Sequence, residues 1–139
     1  MIRFVLDASV TLAWLIDPTT PAYAIHVREL LLQGNRALVP VLWQSEVANG
    51  FLVAERRNIL TQSDTAQILH RFDTVLAQSI DIKTEPVSIR RIAGIGRQFS
   101  LTAYDAMYLD LALEEQLPIA TLDRGLAQAI RKAGARLVP

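Results

Sequence analysis

Arg3-Phe4-Val5-Leu6-Asp7-Ala8-Ser9 is the stretch on which the fold turns. Residues Arg3 to Leu6 are short and apolar, with no polar alternation, which predicts a strand buried on both faces. Asp7 ends that run, and a short helix through Leu12 and Trp14 follows it. The same grammar returns late in the chain, where Ile119-Ala120-Thr121-Leu122 runs into Asp123 and a further helix. In an open parallel sheet the carboxyl ends of the strands open onto the ligand crevice. Two acids at two such ends need a partner of opposite charge.

Helical and strand-like segments alternate along the rest of the chain, which indicates an α/β protein with a parallel sheet. Asp17-Pro18-Thr19-Thr20-Pro21 breaks the first helix, and a second runs to about Gln33, stopped by Gly34-Asn35. A second strand is expected at Ala37-Leu38-Val39, closed by Pro40, then a helix from about Gln44 to Arg57. Thr61-Gln62-Ser63-Asp64 has the form of a capping box and opens another helix. Ile80-Asp81-Ile82 reads as a weak third strand at an edge, and Pro86 suits the first turn of a helix ending near Phe99. Thr102 opens a helix through Glu115 that is apolar nearly all round, as in a core or an interface. The fourth strand is expected at Ile119 to Leu122, a helix at about Asp123 to Ala133, and a fifth strand at Arg136-Leu137-Val138.

The chain has 139 residues, 51% of them hydrophobic, and no cysteine. That length suits a single domain with a sizeable core. No apolar run approaches the roughly 18–20 residues that cross a bilayer, and the N-terminal segment turns acidic too soon for a signal peptide. A cytoplasmic protein is the expectation. Disulfides and thiolate metal sites are excluded. Basic and acidic residues balance at 14 each, which alone argues against a nucleic-acid binder. Setting Asp7, Glu46, Asp105 and Asp123 aside leaves 14 basic against 10 acidic residues. All basic residues but Lys83 and Lys132 are arginine, whose planar fork matches phosphate.

Each of those four acids has an ordinary alternative. Asp7 and Asp123 stand where helix N-caps stand, Asp105 is at the capping-box position after Thr102, and Glu46 suits a solvated helix face. Taken together they suggest convergence. Strands 1 and 4 lie side by side in a doubly wound sheet, so Asp7 and Asp123 meet at its switch point. Asp105 opens a buried helix, where a lone charge is costly. Asn49 shares the face of Glu46. Ser9 and Thr121 place hydroxyls near Asp7 and Asp123, either for water around an ion or for local backbone. An all-oxygen donor set suits Mg²⁺ or Mn²⁺, and phosphate esters are the substrates such sites handle. Asp110, five residues after Asp105, points elsewhere on the helix. His26 and His70 have no partner at ligand spacing and are expected on helix surfaces.

Val5-Leu6-Asp7-Ala8-Ser9, the run Val39 to Asn49, Tyr104-Asp105-Ala106-Met107-Tyr108-Leu109 and Ala120-Thr121-Leu122-Asp123, in that order and spacing, resemble the PIN-domain ribonucleases, and among them the VapC-type toxins of toxin–antitoxin pairs. The resemblance covers nearly the whole chain. It implies one PIN-like domain over residues 1–139, a three-layer α/β/α fold with a central parallel sheet of about five strands in the order 3-2-1-4-5. It implies a Mg²⁺- or Mn²⁺-dependent endoribonuclease with Asp7, Glu46, Asp105 and Asp123 as catalytic acids. Asp7, Asp105 and Asp123 hold the metal in that scheme, and Ser9, Asn49 and Thr121 support it. Expected partners are RNA, a cognate antitoxin and a second copy in a homodimer, and no membrane.

Two other readings remain open from sequence. A phosphotransfer protein would also use Asp7, although an aspartyl-phosphate hydrolase would place a second Asp where Ser9 stands. A non-catalytic PIN-like binding module would use its acids only as caps. Trp14, Trp43 and Phe51 would then be interface anchors or core residues, core being the commoner role. Gly94-Ile95-Gly96 lies inside a predicted helix and completes no phosphate-binding loop.

Overall fold

The computed structural model describes residues 1–139, the side chain of Val75 excepted. Four parallel strands form the sheet: β1 (Arg3–Leu6), β2 (Arg36–Pro40), β3 (Ile80–Lys83) and β4 (Ile119–Ala120), in the order β3-β2-β1-β4. Between β1 and β2 run α1 (Ala8–Leu15) and α2 (Ala22–Leu32); between β2 and β3 run α3 (Leu42–Arg56), α4 (Gln62–Val75) and a 3₁₀ turn at Ala77–Ser79. Helices α5 (Ile89–Phe99) and α6 (Ala103–Glu115) link β3 to β4, and α7 (Arg124–Lys132) follows β4. Parallel crossovers are right-handed. The two crossovers that step from β1 to β3 therefore lie on one face of the sheet. The return from β3 to β4 lies on the other, which gives three layers.

Phe4, Val5 and Leu6 are fully buried, as expected of a strand with neighbours on both sides and helices on both faces. Trp14, Trp43 and Phe51 belong to the same core, so they are packing residues of this chain. The edge strand β3 is only partly buried. A bidentate pair ties it down: Arg36 Nε donates to Asp81 Oδ2 at 2.9 Å and Arg36 Nη2 to Asp81 Oδ1 at 2.6 Å. Helix α4 starts with the reciprocal capping box expected at Thr61 and Asp64.

Four expectations need correcting. The fifth strand is a single bridge, Ile119 to Leu137, with two backbone bonds: Ile119 N–H donates to Arg136 O and Val138 N–H to Ile119 O. Its neighbour is too short to extend it. Strand β4 leaves the sheet after Ala120, because the Thr121 hydroxyl donates to Asp7 and accepts the Asp123 N–H, turning the chain toward α7. Pro86 lies outside α5. The helix begins at Ile89, where the Ser88 hydroxyl accepts the Arg91 N–H as N-cap. Helix α3 begins at Leu42, two residues ahead of the expected Gln44. Gly96, in α5, has a packing reason: a Cβ there would stand 3.0 Å from the carbonyl oxygen of Leu101, so a side chain would push the α5–α6 connection away by a few tenths of an ångström.

Strand β1 is the reversal point of the sheet. The chain steps from it one way to β2 and returns on its other side as β4. The crevice beyond its carboxyl end is where a ligand would enter.

Candidate active site

Asp7 is the first residue beyond β1 and is buried. It occupies the N-cap position of α1, yet its side chain makes no capping bond. Its Oδ2 instead accepts two hydroxyls, from Ser9 and from Thr121, each at 2.7 Å. Those hydroxyls are themselves held by backbone: Ser9 Oγ accepts the Leu122 N–H at 3.1 Å and Thr121 Oγ1 accepts the Asp123 N–H at 3.0 Å. Thr121 thus bonds its local backbone, as one of its two readings expected, whereas Ser9 bonds the backbone of Leu122 across the sheet end, and both hold the acid. Together they lock the β4–α7 turn onto the end of β1 and leave Asp7 Oδ1 free of these bonds.

Asp123 caps α7, its Oδ1 accepting the Leu126 N–H at 2.8 Å. The capping reading is thus correct for this acid, but it uses only one carboxylate oxygen. Asp105 lies in the first turn of α6, half-buried. Thr102 accepts the Asp105 N–H at 3.2 Å, while no hydrogen bond to the Asp105 carboxylate is present among the described residues. Glu46, in the second turn of α3, is half-buried, and its Oε1 accepts the hydroxyl of Tyr108 at 2.6 Å. Asn49, one turn further along α3, is exposed.

Tyr108 is the residue the sequence reading passed over. It is fully buried in α6, three residues after Asp105. A tyrosine inside an apolar helix needs a partner for its hydroxyl, and that need was the available signal. Burial pushes its hydroxyl upward in pKa, with further contributions from the hydrogen bond to Glu46 and from the charges of Glu46 and Asp7. The hydroxyl therefore stays protonated and donates. Asp110 does turn away from the acids: it is buried and pairs with Arg91 of α5. His26 and His70 are exposed on α2 and α4.

The four acids feel one another. Burial raises the pKa of Asp7 first, the Ser9 and Thr121 hydroxyls pull it down, and the charge of Asp123 raises it again. Asp105 is raised by burial, then by Asp123 and Asp7. Glu46 is raised by burial, lowered by the Tyr108 hydroxyl, and raised by Asp7 and Asp105. Carboxylates from the end of β1, from α3, from α6 and from the start of α7 thus lie near enough for their charges to act on one another, Asp7 on Asp105, both of these on Glu46, and Asp123 on Asp7 and Asp105. A divalent cation would reverse each of those repulsions.

Among the described residues no three His, Asp or Glu side chains close tightly enough to hold an ion as they stand. The donor chemistry still fits a hydrated hard cation. Mg²⁺ keeps several waters and takes one or two carboxylates directly. Asp7 and Asp123 each have an oxygen outside the bonds just described, and the Asp105 carboxylate accepts no hydrogen bond among the described residues.

A model of the PIN domain matches residues 4–132. The chain belongs to the PIN domain family. Among solved structures, this PIN domain is similar to PAE2754 from Pyrobaculum aerophilum, with a TM-score of 0.70 and 19% identity over 92% of this chain and 84% of that one. It is also similar to FitAcB from Neisseria gonorrhoeae, with a TM-score of 0.63 and 19% identity over 100% of this chain and 97% of that one. At such identity the likeness speaks for the fold. No match was found among curated proteins.

Proposed function

We propose that this PIN domain, taken as one unit over residues 1–139, is a Mg²⁺- or Mn²⁺-dependent endoribonuclease and the toxin of a toxin–antitoxin pair. The observation that carries the nuclease reading is the nearness of Asp7, Glu46, Asp105 and Asp123, whose charges act on one another at the reversal point of a PIN-family sheet. Asp7, Asp105 and Asp123 would hold the ion, with Glu46 directly or through water. When bound, such an ion polarises a phosphodiester and supplies a nucleophile from water near neutral pH. The chain's own groups prepare that site. Ser9 and Thr121 fix the rotamer of Asp7, and Tyr108 aims Glu46 from the core. Single-stranded RNA is the favoured substrate, because its splayed backbone can enter a narrow crevice.

The partners follow the same reading. Val41, Val87 and Ile89 are exposed apolar side chains around one end of the sheet, which supports a homodimer contact there. A cognate antitoxin would mask the acidic crevice. No helix among the described residues is long and apolar enough to cross a membrane, and a cytoplasmic location is proposed with the toxin role. Digestion of transfer and ribosomal RNA with and without Mg²⁺ or Mn²⁺ tests the chemistry. Cleavage should stop on chelation, return with Mn²⁺, and be absent in Asp7→Asn and Asp105→Asn. Undiminished metal-dependent cleavage by both variants would reject the assignment.

A further inference from the structure

Beside the acids lies a polar cavity of about 310 Å³ between the α5–α6 connection and α7. Asp105 stands on its edge, and Gln98, Ser100, Thr102, Gln128 and Lys132 line it. Gly125 forms the wall toward the site: a Cβ at that position would lie 3.3 Å from Asp123 Oδ1. The cavity is therefore bounded by Asp105 itself and by the residue packed against Asp123. A second hollow of about 420 Å³ shares Gly125 and Gln128 with it and continues over α7 to Arg124 and Arg131.

The charge of the flanking helices is one-sided. Helix α5 contains Arg90, Arg91 and Arg97, helix α7 contains Arg124, Arg131 and Lys132, and neither contains an acid. Of these six, only Arg91 has a salt-bridge partner among the described residues. A phosphodiester approaching four carboxylates is repelled unless cations hold its neighbouring phosphates. The larger groove of about 450 Å³, beside the carboxyl ends of β2 and β3, does not offer this, because its two cations, Lys83 and Arg91, are already paired with Glu115 and Asp110.

We propose that the cavity between α7 and the α5–α6 connection is the subsite for the RNA nucleotide next to the scissile phosphate. Lys132 meets the backbone phosphate, and Gln98 and Gln128 present amides to the sugar and base. The inference rests on the nuclease reading, and it assigns the direction in which the strand leaves the acids: across α7.

The test is fluorescence anisotropy with a labelled single-stranded RNA 12-mer and the full chain carrying Asp7→Asn, which prevents cleavage. Salt is varied, and Lys132→Ala, Gln128→Ala and Arg57→Ala are added singly. Arg57 is exposed at the far end of α3 from Glu46 and serves as the control. Loss of one phosphate contact should flatten the log–log salt dependence by about 0.7 and weaken binding about 8-fold at 50 mM salt. Gln128→Ala should weaken binding roughly 2- to 10-fold without changing the slope. Arg57→Ala should change neither. Equal effects of Lys132→Ala and Arg57→Ala, or no effect of Lys132→Ala, would overturn the subsite. If the unsubstituted chain still cuts RNA, the nuclease reading survives that result. An unsubstituted chain that neither binds nor cuts RNA would overturn both.

Discussion

Replacing Tyr108 by Phe removes one oxygen from the core and keeps the ring that packs there. The lost contact is the 2.6 Å hydrogen bond to Glu46 Oε1, which joins α6 to α3 across 62 residues of sequence. Hydrogen bonds to charged groups contribute roughly 1.5–3 kcal/mol. Glu46 is half-buried and can turn partly to water, so the expected net loss is about 1–2 kcal/mol. At about 3–4 °C per kcal/mol for a chain of this size, the metal-free protein should melt roughly 3–8 °C lower. The functional effect should be larger. Without the hydroxyl, Glu46 loses the group that favours its charged form and fixes its rotamer. Partners that orient ligating groups typically alter metal affinity about 10- to 100-fold when removed; a weakening of Mn²⁺ binding by about 10-fold is expected. Thermal melting followed by circular dichroism and calorimetric titration with Mn²⁺ read the two effects separately. A Tyr108→Phe variant with the parent's melting temperature and the parent's Mn²⁺ affinity would refute the reasoning.

Asp7, Glu46 and Asp105 all have folded-state pKa values above their ordinary ones, so the metal-free native state binds protons more readily than the unfolded chain. Its stability should therefore rise as pH falls from neutral toward the ordinary carboxylate range, and saturating Mn²⁺ should flatten that dependence in a melting series. Asp7→Asn should raise metal-free stability by roughly 0.5–2 kcal/mol in denaturant titration while abolishing cleavage. At the opposite edge of the sheet the sign is reversed. The Arg36 hydrogen bonds and charge hold the Asp81 carboxyl below its ordinary value. Its contribution should be present above pH about 4 and vanish as pH falls through the folded value. Both side chains are more than a third exposed, so Asp81→Asn should cost no more than about 1 kcal/mol at neutral pH and nothing below that window.

The parts of the fold legible in sequence were those with a local cause. The apolar run before Asp7, the capping box at Thr61 and the Thr102 cap are written in contiguous residues, and the structure repeats them. The fifth strand was not legible, because pairing belongs to the neighbour. Arg136-Leu137-Val138 has strand character, but β4 offers it only Ile119. The candidate site divides in the same way. Acids at strand ends mark themselves, as do hydroxyls two residues away. Tyr108 does not, since its place among Leu109, Leu111 and Ala112 looks like core until α3 brings Glu46 to its hydroxyl. The Asp123 cap was legible in its place between strand and helix, whereas the Arg91 partner of Asp110 depends on geometry that spacing alone does not fix.

The most direct measurement is a calorimetric titration of Mn²⁺ into the metal-free chain and into its Asp7→Asn and Asp105→Asn variants. Saturable binding by the parent that is lost in both variants is the expected outcome. No heat beyond dilution in the parent, or the same isotherm in all three proteins, would show that these carboxylates do not share an ion.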